Sequence, residues 1–258
     1  MSSFFNGVEG IQLLVLIISA VLIGINKTGM PGIGVLPVIM LSIFFPAKYS
    51  TGLQLIMLCM ADCMAMIYYR KRGNFKLVLK LLPCALVGLG LGSCALYFLG
   101  DNDGLFKVII ASIILILMVL NYWRQHYLQV EALPKSFLFA AIVGVLAGFT
   151  TQIANAAGPV MAIYLLALRL PKEEYMGTSV WYFFILNFIK LPIFIMEGRI
   201  TYQAFRTDLS MLPFIFVGAV IGVLFVRKAP QKIFNTVIEL LVLFSGLKLL
   251  YDGIMILS

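Results

Sequence analysis

Apolar runs long enough to cross a bilayer recur through the whole chain, and no other feature limits its fold so tightly. The runs are hydrophobic all round, not on one face, and mean hydropathy is +1.05. Only 12% of the residues are charged, and a soluble domain carries about twice that share. The alternating ten-residue strands of a transmembrane β-barrel do not occur. These features define an all-α polytopic membrane protein, with the lipid bilayer as its first partner. The opening MSSFFNGVEG has no basic segment before its apolar run, so no cleavable signal is expected.

The runs divide into about ten membrane segments: 11–25, 33–45, 51–69, 77–98 and 105–123, then 137–149, 159–170, 176–196, 209–226 and 233–252. The last three of each set are full spans of about 20 residues. The first two of each set are short, and read as half-length helices separated by a break. The two sets also resemble each other. Pro46 to Gly52 has the spacing of Pro171 to Gly177, and on that offset Asp62 falls on Asn187 and Gly73 on Gly198. PCALVGLGLG (83–92) lies over PFIFVGAVIG (213–222). The chain thus divides into two transmembrane repeats, 1–128 and 129–258.

The net charge of +8 does not point to nucleic acid, because the basic residues sit mainly in short loops between apolar runs, where they set topology. If each broken pair re-enters, or makes two short crossings, each half crosses an odd number of times and the second half is inverted. Eleven basic residues then lie inside: Arg70, Lys71, Arg72, Lys76, Arg124, Lys135, Arg169, Lys172, Arg227, Lys228 and Lys232. Three lie outside: Lys48, Arg199 and Arg206. Continuous spans would give eight against six. The positive-inside bias therefore favours two inverted repeats, with broken short helices opening each and both termini outside.

The breaks, GINKTGMPGIGVLP (24–37) and TTQIANAAGP (150–159), carry the chemistry. Backbone that leaves the helix at membrane depth must be buried in protein or line a wet cavity. Pro31 and Pro159 are placed to open the second half-helix of each pair. The N-terminus of a half-helix offers free N–H groups and a positive dipole end. Two such ends, approaching from opposite sides, build an anion site from backbone alone. Lys27 adds a full charge at one break and Asn155 an amide at the other.

A lysine at this depth costs about 3 kcal/mol, so it faces a cavity or a partner. A place in the substrate path, pairing with Asp62 and snorkelling to an interface are the three readings of Lys27. Lys190 follows Asn187 by three residues on one helical face, with snorkelling as its alternative. The candidate substrate-binding residues are Lys27, Thr28, Gly29, Gly32, Gln152, Asn155, Gly158, Asn187 and Lys190. Asp62 is the candidate counter-ion or proton carrier. Gln54, Thr178 and Ser179 are further hydrogen-bonding side chains, and Glu239 is peripheral. Gly88, Gly92, Gly218 and Gly222 form small-xxx-small pairs that pack helices.

Cys59, Cys63, Cys84 and Cys94 all fall in expected spans, which argues against a disulfide framework. Cys59 and Cys63 share a helix face that would suit a soft metal, but packing is the stronger reading. No metal or other cofactor is expected. There is no nucleotide-binding motif to drive transport by ATP. The lone histidine, His126, lies in an expected loop, and without a hydrolytic dyad the chain does not read as an enzyme.

At these residues the sequence resembles the sulfite exporter TauE/SafE family. GINKTGMPGIGVLPVIML is similar to that family's glycine-rich opening with its Lys-small-Gly core. TTQIANAAGPVMAIYLLALRLPKEEYMGTSVWYFFILNFIKLP (150–192) resembles its second motif. Met30 and Pro31 stand where a Gly-aromatic-Gly run is expected, so the first break should be shaped differently here. The resemblance implies a secondary transporter for small anions such as sulfite or sulfonates in the bacterial inner membrane. A passive anion channel and an intramembrane thiol–disulfide shuttle are the competing classes. The expected partners are a small anionic substrate, the lipid bilayer and, in a homo-oligomer, further copies of the chain.

Overall fold

A computed structural model describes residues 10–45, 47–99, 103–127 and 137–257. Lys135 and the 128/129 boundary lie outside the described residues, as do the side chains of Lys48, Arg124 and His126. Among the described residues there are eleven helices: α1 Gly10–Thr28, α2 Val35–Phe44, α3 Ala47–Tyr69, α4 Phe75–Leu99, α5 Asp103–Tyr127, α6 Phe137–Ala154, α7 Ala157–Ala167, α8 Lys172–Met196, α9 Tyr202–Ser210, α10 Leu212–Lys228 and α11 Gln231–Leu257. Six are long and apolar enough to cross a membrane, or seven if the bent α9–α10 pair is one span. The chain is a multi-pass helical membrane protein.

Two expected boundaries shift. The segments expected at 11–25 and 137–149 are not half-length: α1 has 19 residues and α6 has 18. Each helix continues through polar residues because those side chains bond to helix carbonyls. The Thr28 hydroxyl donates to the carbonyls of Gly24 (2.9 Å) and Ala219 (2.8 Å). That of Thr150 donates to Leu146 (2.9 Å). The half-length helices are α2, with 10 residues, and α7, with 11. At about 16 Å they reach only about halfway through a bilayer core. Pro159 sits in the first turn of α7 as expected. Pro31 does not open α2; it lies in the turn that precedes Val35.

A helix unread in the sequence, α9, precedes α10 and meets it at a bend of 53°. Its Gln203, Arg206 and Asp208 hide it from a search for apolar runs. The Thr201 side chain caps it by accepting from the Ala204 N–H at 3.1 Å.

Helices α3 and α8 run antiparallel against each other through the middle of the bundle. Gly52 near the start of α3 lies on the Arg199 carbonyl past the end of α8, and Gly177 near the start of α8 lies on Gly73 past the end of α3. A Cβ at either glycine would overlap backbone. Helix α1 packs on α10 and α4 on α6 in the same manner, with Gly218 on the Val21 carbonyl and Gly88 on that of Val145. Helix α5 pairs with α11, and α7 is enclosed, every residue but Gly158 buried.

The loops after α3, α7 and α10 gather at one end of the bundle. Arg72 pairs with Glu173 at 3.1 Å, the Trp181 indole donates to the Arg70 carbonyl at 2.9 Å, and the Lys172 ammonium donates to the Ala229 carbonyl.

Candidate functional site

The two breaks meet in the middle of the molecule. A Cβ on Gly158, in the first turn of α7, would stand 3.8 Å from the backbone nitrogen of Gly32. Gly32 has φ 110°, a conformation that only glycine adopts freely. Asn155 turns the other break with φ 52°, in the left-handed region that asparagine tolerates better than most residues.

Around this meeting point lies one cavity of about 20 Å³, room for about one water. The starts of both half-helices border it: Gly34 and Val35 from α2, and Ala156, Gly158 and Pro159 from α7. Asn26 and Lys27 border it from α1, Gln54 and Leu58 from α3, Thr151 from α6, Asn155 from the break after it, and Phe183 and Asn187 from α8.

Lys27 is buried, and its ammonium stands 2.8 Å from Asp62 Oδ1 and 4.2 Å from the centre of the Phe183 ring. Asp62 is wholly buried, and its Oδ2 accepts from the Asn187 amide at 2.6 Å. The acid and the residue on which the sequence offset places it are therefore in direct contact.

Lys190 does not snorkel. It is wholly buried, with its Nζ 2.7 Å from the Thr151 carbonyl, 3.0 Å from Thr151 Oγ1 and 2.5 Å from Asn155 Oδ1. Three acceptors match the three protons of an ammonium. The Asn155 amide nitrogen donates to the Thr51 carbonyl (3.0 Å) and Gln54 Oε1 (3.3 Å). Lys190 and these oxygens thus fix Asn155 beside the cavity.

Of the ten candidate binding and counter-ion residues, Lys27, Asn155, Gly158 and Asn187 border the cavity, as do Gln54 and Pro159, which the sequence marked for other roles. Asp62 and Lys190 stand behind it, each bonded to residues that do. The other four do not border it. Gly29 lies against Gly222 of α10. Thr28 bonds to α10, and its carbonyl accepts from the Tyr69 hydroxyl at 2.8 Å. The Gly32 carbonyl accepts from Ser245 at 2.8 Å. Gln152 donates to Ser93 (2.9 Å) and Glu197 (3.2 Å).

The sequence reading missed Asn26, Thr151 and Phe183. A step of one residue on a helix turns about 100°, so Thr151 faces the cavity where Gln152 faces α4. Asn26 was legible as the polar neighbour of Lys27, and its Oδ1 accepts the Gly34 N–H at 3.1 Å. Nothing distinguishes Phe183 from the other aromatics of α8.

Half-helices that start at a buried polar cavity inside a bundle of apolar spans define the class: a multi-pass helical membrane protein. The chain belongs to the family described as Sulfite exporter TauE/SafE, whose model matches residues 16–249. That stretch contains both breaks and both central helices. No curated protein and no solved structure matches the chain in the same comparisons.

Proposed function

We propose that this protein is a secondary transporter that carries small anions, sulfite and sulfonates foremost, across the bacterial inner membrane. The observation that carries the reading is the buried Lys27 ammonium at a cavity bordered by the starts of α2 and α7. The first N–H groups of α2 are taken by Asn26 Oδ1 and by carbonyls of the preceding turn, but the dipole end of each half-helix still favours a negative ligand. The family's description names the same class of ligand.

Two inverted repeats account for the packing. Exchanging the halves turns the α1–α10 contact into α6–α4, and leaves α3 facing α8 and α5 facing α11. The glycine contacts at the two ends of α3 and α8 exchange in the same way. The end carrying Arg70, Arg72 and Lys172 faces the cytoplasm on the positive-inside bias.

A cavity of about 20 Å³ is smaller than an oxyanion. The ligand enters as lining side chains give way, and Lys27, on its flexible stem, is placed to do so. So closed a site favours a carrier over an open pore. Asp62 serves as counter-ion to Lys27, and Lys190 as a positioning residue that acts through Asn155 and Thr151.

Thermal denaturation of the purified protein with sulfite, methanesulfonate and uncharged dimethyl sulfone tests this reading. A ligand at 100 times its Kd stabilises the folded state by about 2.7 kcal/mol. The two anions should raise the melting temperature and the sulfone should not. Equal shifts with all three, or none with either anion, would count against an anion site.

A further inference from the structure

Resting on the reading of the cavity as an anion site, we infer that it takes its oxyanion as the protonated monoanion, with Asp62 setting the charge and Asn187 receiving the proton's hydrogen bond. Two independent observations lead there.

The first is the buried charge around the cavity. Lys27 and Lys190 are both buried there, against one carboxylate, Asp62; the other buried carboxylate, Asp208, belongs to α9 and does not border the cavity. Asp62 spends Oδ1 on Lys27 and Oδ2 on Asn187, whereas the acceptors around Lys190 are neutral oxygens. Arg199, farther along, pairs with Glu197 at 2.6 Å and adds nothing to the sum. The remainder is one positive charge. A ligand of charge −1 cancels it, while a dianion leaves an uncompensated negative charge in a dry interior, which is costly. The sequence offset shows why the sum is +1. An acid stands at only one of the two matched positions, Asp62 but not Asn187.

The second observation is an empty acceptor. Asn187 borders the cavity, and its Oδ1 is buried with no hydrogen-bond partner. The amide cannot be turned to use it elsewhere, because its nitrogen must face the Asp62 carboxylate. A buried acceptor without a donor calls for a ligand that brings one. Fully ionised oxyanions offer acceptors only. A monoprotonated oxyanion offers an O–H to Asn187 and oxygens to Lys27 and to the positive dipole ends of the half-helices. Transport of this species carries its proton along with the anion, so no protein group has to shuttle one.

The titratable groups near the cavity are Lys27 on α1, Asp62 and Cys59 on α3, and Lys190 on α8. The bordering residues of α2, α6 and α7 carry none. Their own titration must be separated from that of the ligand, and methanesulfonate, a monoanion with no acidic O–H, provides the control.

Calorimetric titration of the full chain in detergent, at fixed ionic strength and across the pH range of sulfite's second ionisation, makes the test. Sulfite affinity should fall tenfold per pH unit above that ionisation, while methanesulfonate binds independently of pH and sulfate at least tenfold more weakly. Asp62→Asn raises the site's charge by one and should tighten sulfate at least tenfold. Asn187→Leu should weaken sulfite and spare methanesulfonate.

A flat sulfite profile, a methanesulfonate profile that falls in parallel, or sulfate bound as tightly as sulfite overturns the inference and leaves the anion site standing. Binding of none of the three removes the anion site itself. The wild-type series decides the matter even if either variant fails to fold.

Discussion

Replacing Lys27 with alanine separates the anion-holding task proposed for its ammonium from its pairing with Asp62. Two unit charges about 4 Å apart attract by about 4 kcal/mol at an effective dielectric of 20. Loss of that contact corresponds to about a thousandfold in Kd. The same change strands Asp62, which is wholly buried and keeps only the Asn187 amide. Breaking one side of a buried pair costs about 3–5 kcal/mol, and for a chain of this length each kcal/mol moves the melting temperature by about 2–4 °C. Lys27→Ala should therefore bind sulfite about a thousandfold more weakly in calorimetric titration and melt at least about 6 °C lower. The double variant Lys27→Ala/Asp62→Asn should recover most of the stability and none of the affinity. Sulfite affinity in Lys27→Ala within threefold of wild type would refute the placement of Lys27 in the site, whatever its stability.

Three other perturbations probe the surrounding structure. In a cysteine-free background, Lys71→Cys and Lys228→Cys should be labelled by an impermeant reagent only from the cytoplasmic side; labelling from opposite sides would break the inverted arrangement. Gly218→Leu drives a side chain into the Val21 carbonyl, and should lower the melting temperature by an amount matching about 1–3 kcal/mol or more. A wild-type melt would mean that α1 and α10 are not so close. Lys190→Met leaves the Thr151 and Asn155 oxygens without their buried donor, at about 1–3 kcal/mol for each. It should weaken sulfite binding although the side chain does not border the cavity, and unchanged binding would remove Lys190 from the positioning of Asn155.

Hydrophobicity over long windows carries most of the fold. The long apolar runs lie where α3, α4, α8, α10 and α11 form, because lipid leaves a spanning chain few alternatives to helix. What escaped this reading depends on three-dimensional partners. The polar ends of α1 and α6 look like breaks until Thr28 is seen bonded to the Ala219 carbonyl on another helix. Helix α9 is too polar to register as a span, yet Thr201 caps it.

At the candidate site, polar side chains within apolar runs were the signal that the sequence offered. Lys27, Asp62, Asn187 and Lys190 come together because each would be costly alone. Facing was not legible near the breaks. Residues such as Thr151 and Gln152 differ by one step of the helix, and only the structure tells which of them meets the cavity.

On the proposed function, the cavity at the two half-helix starts is a carrier's anion site. Counterflow in proteoliposomes addresses it most directly, with purified protein, unlabelled sulfite inside and labelled sulfite outside. On this reading uptake should saturate, overshoot its equilibrium level, be absent from protein-free vesicles, and be lost in Lys27→Ala protein shown to be inserted and folded. Uptake that rises linearly with sulfite and shows no overshoot, or an undiminished overshoot in Lys27→Ala, would contradict it.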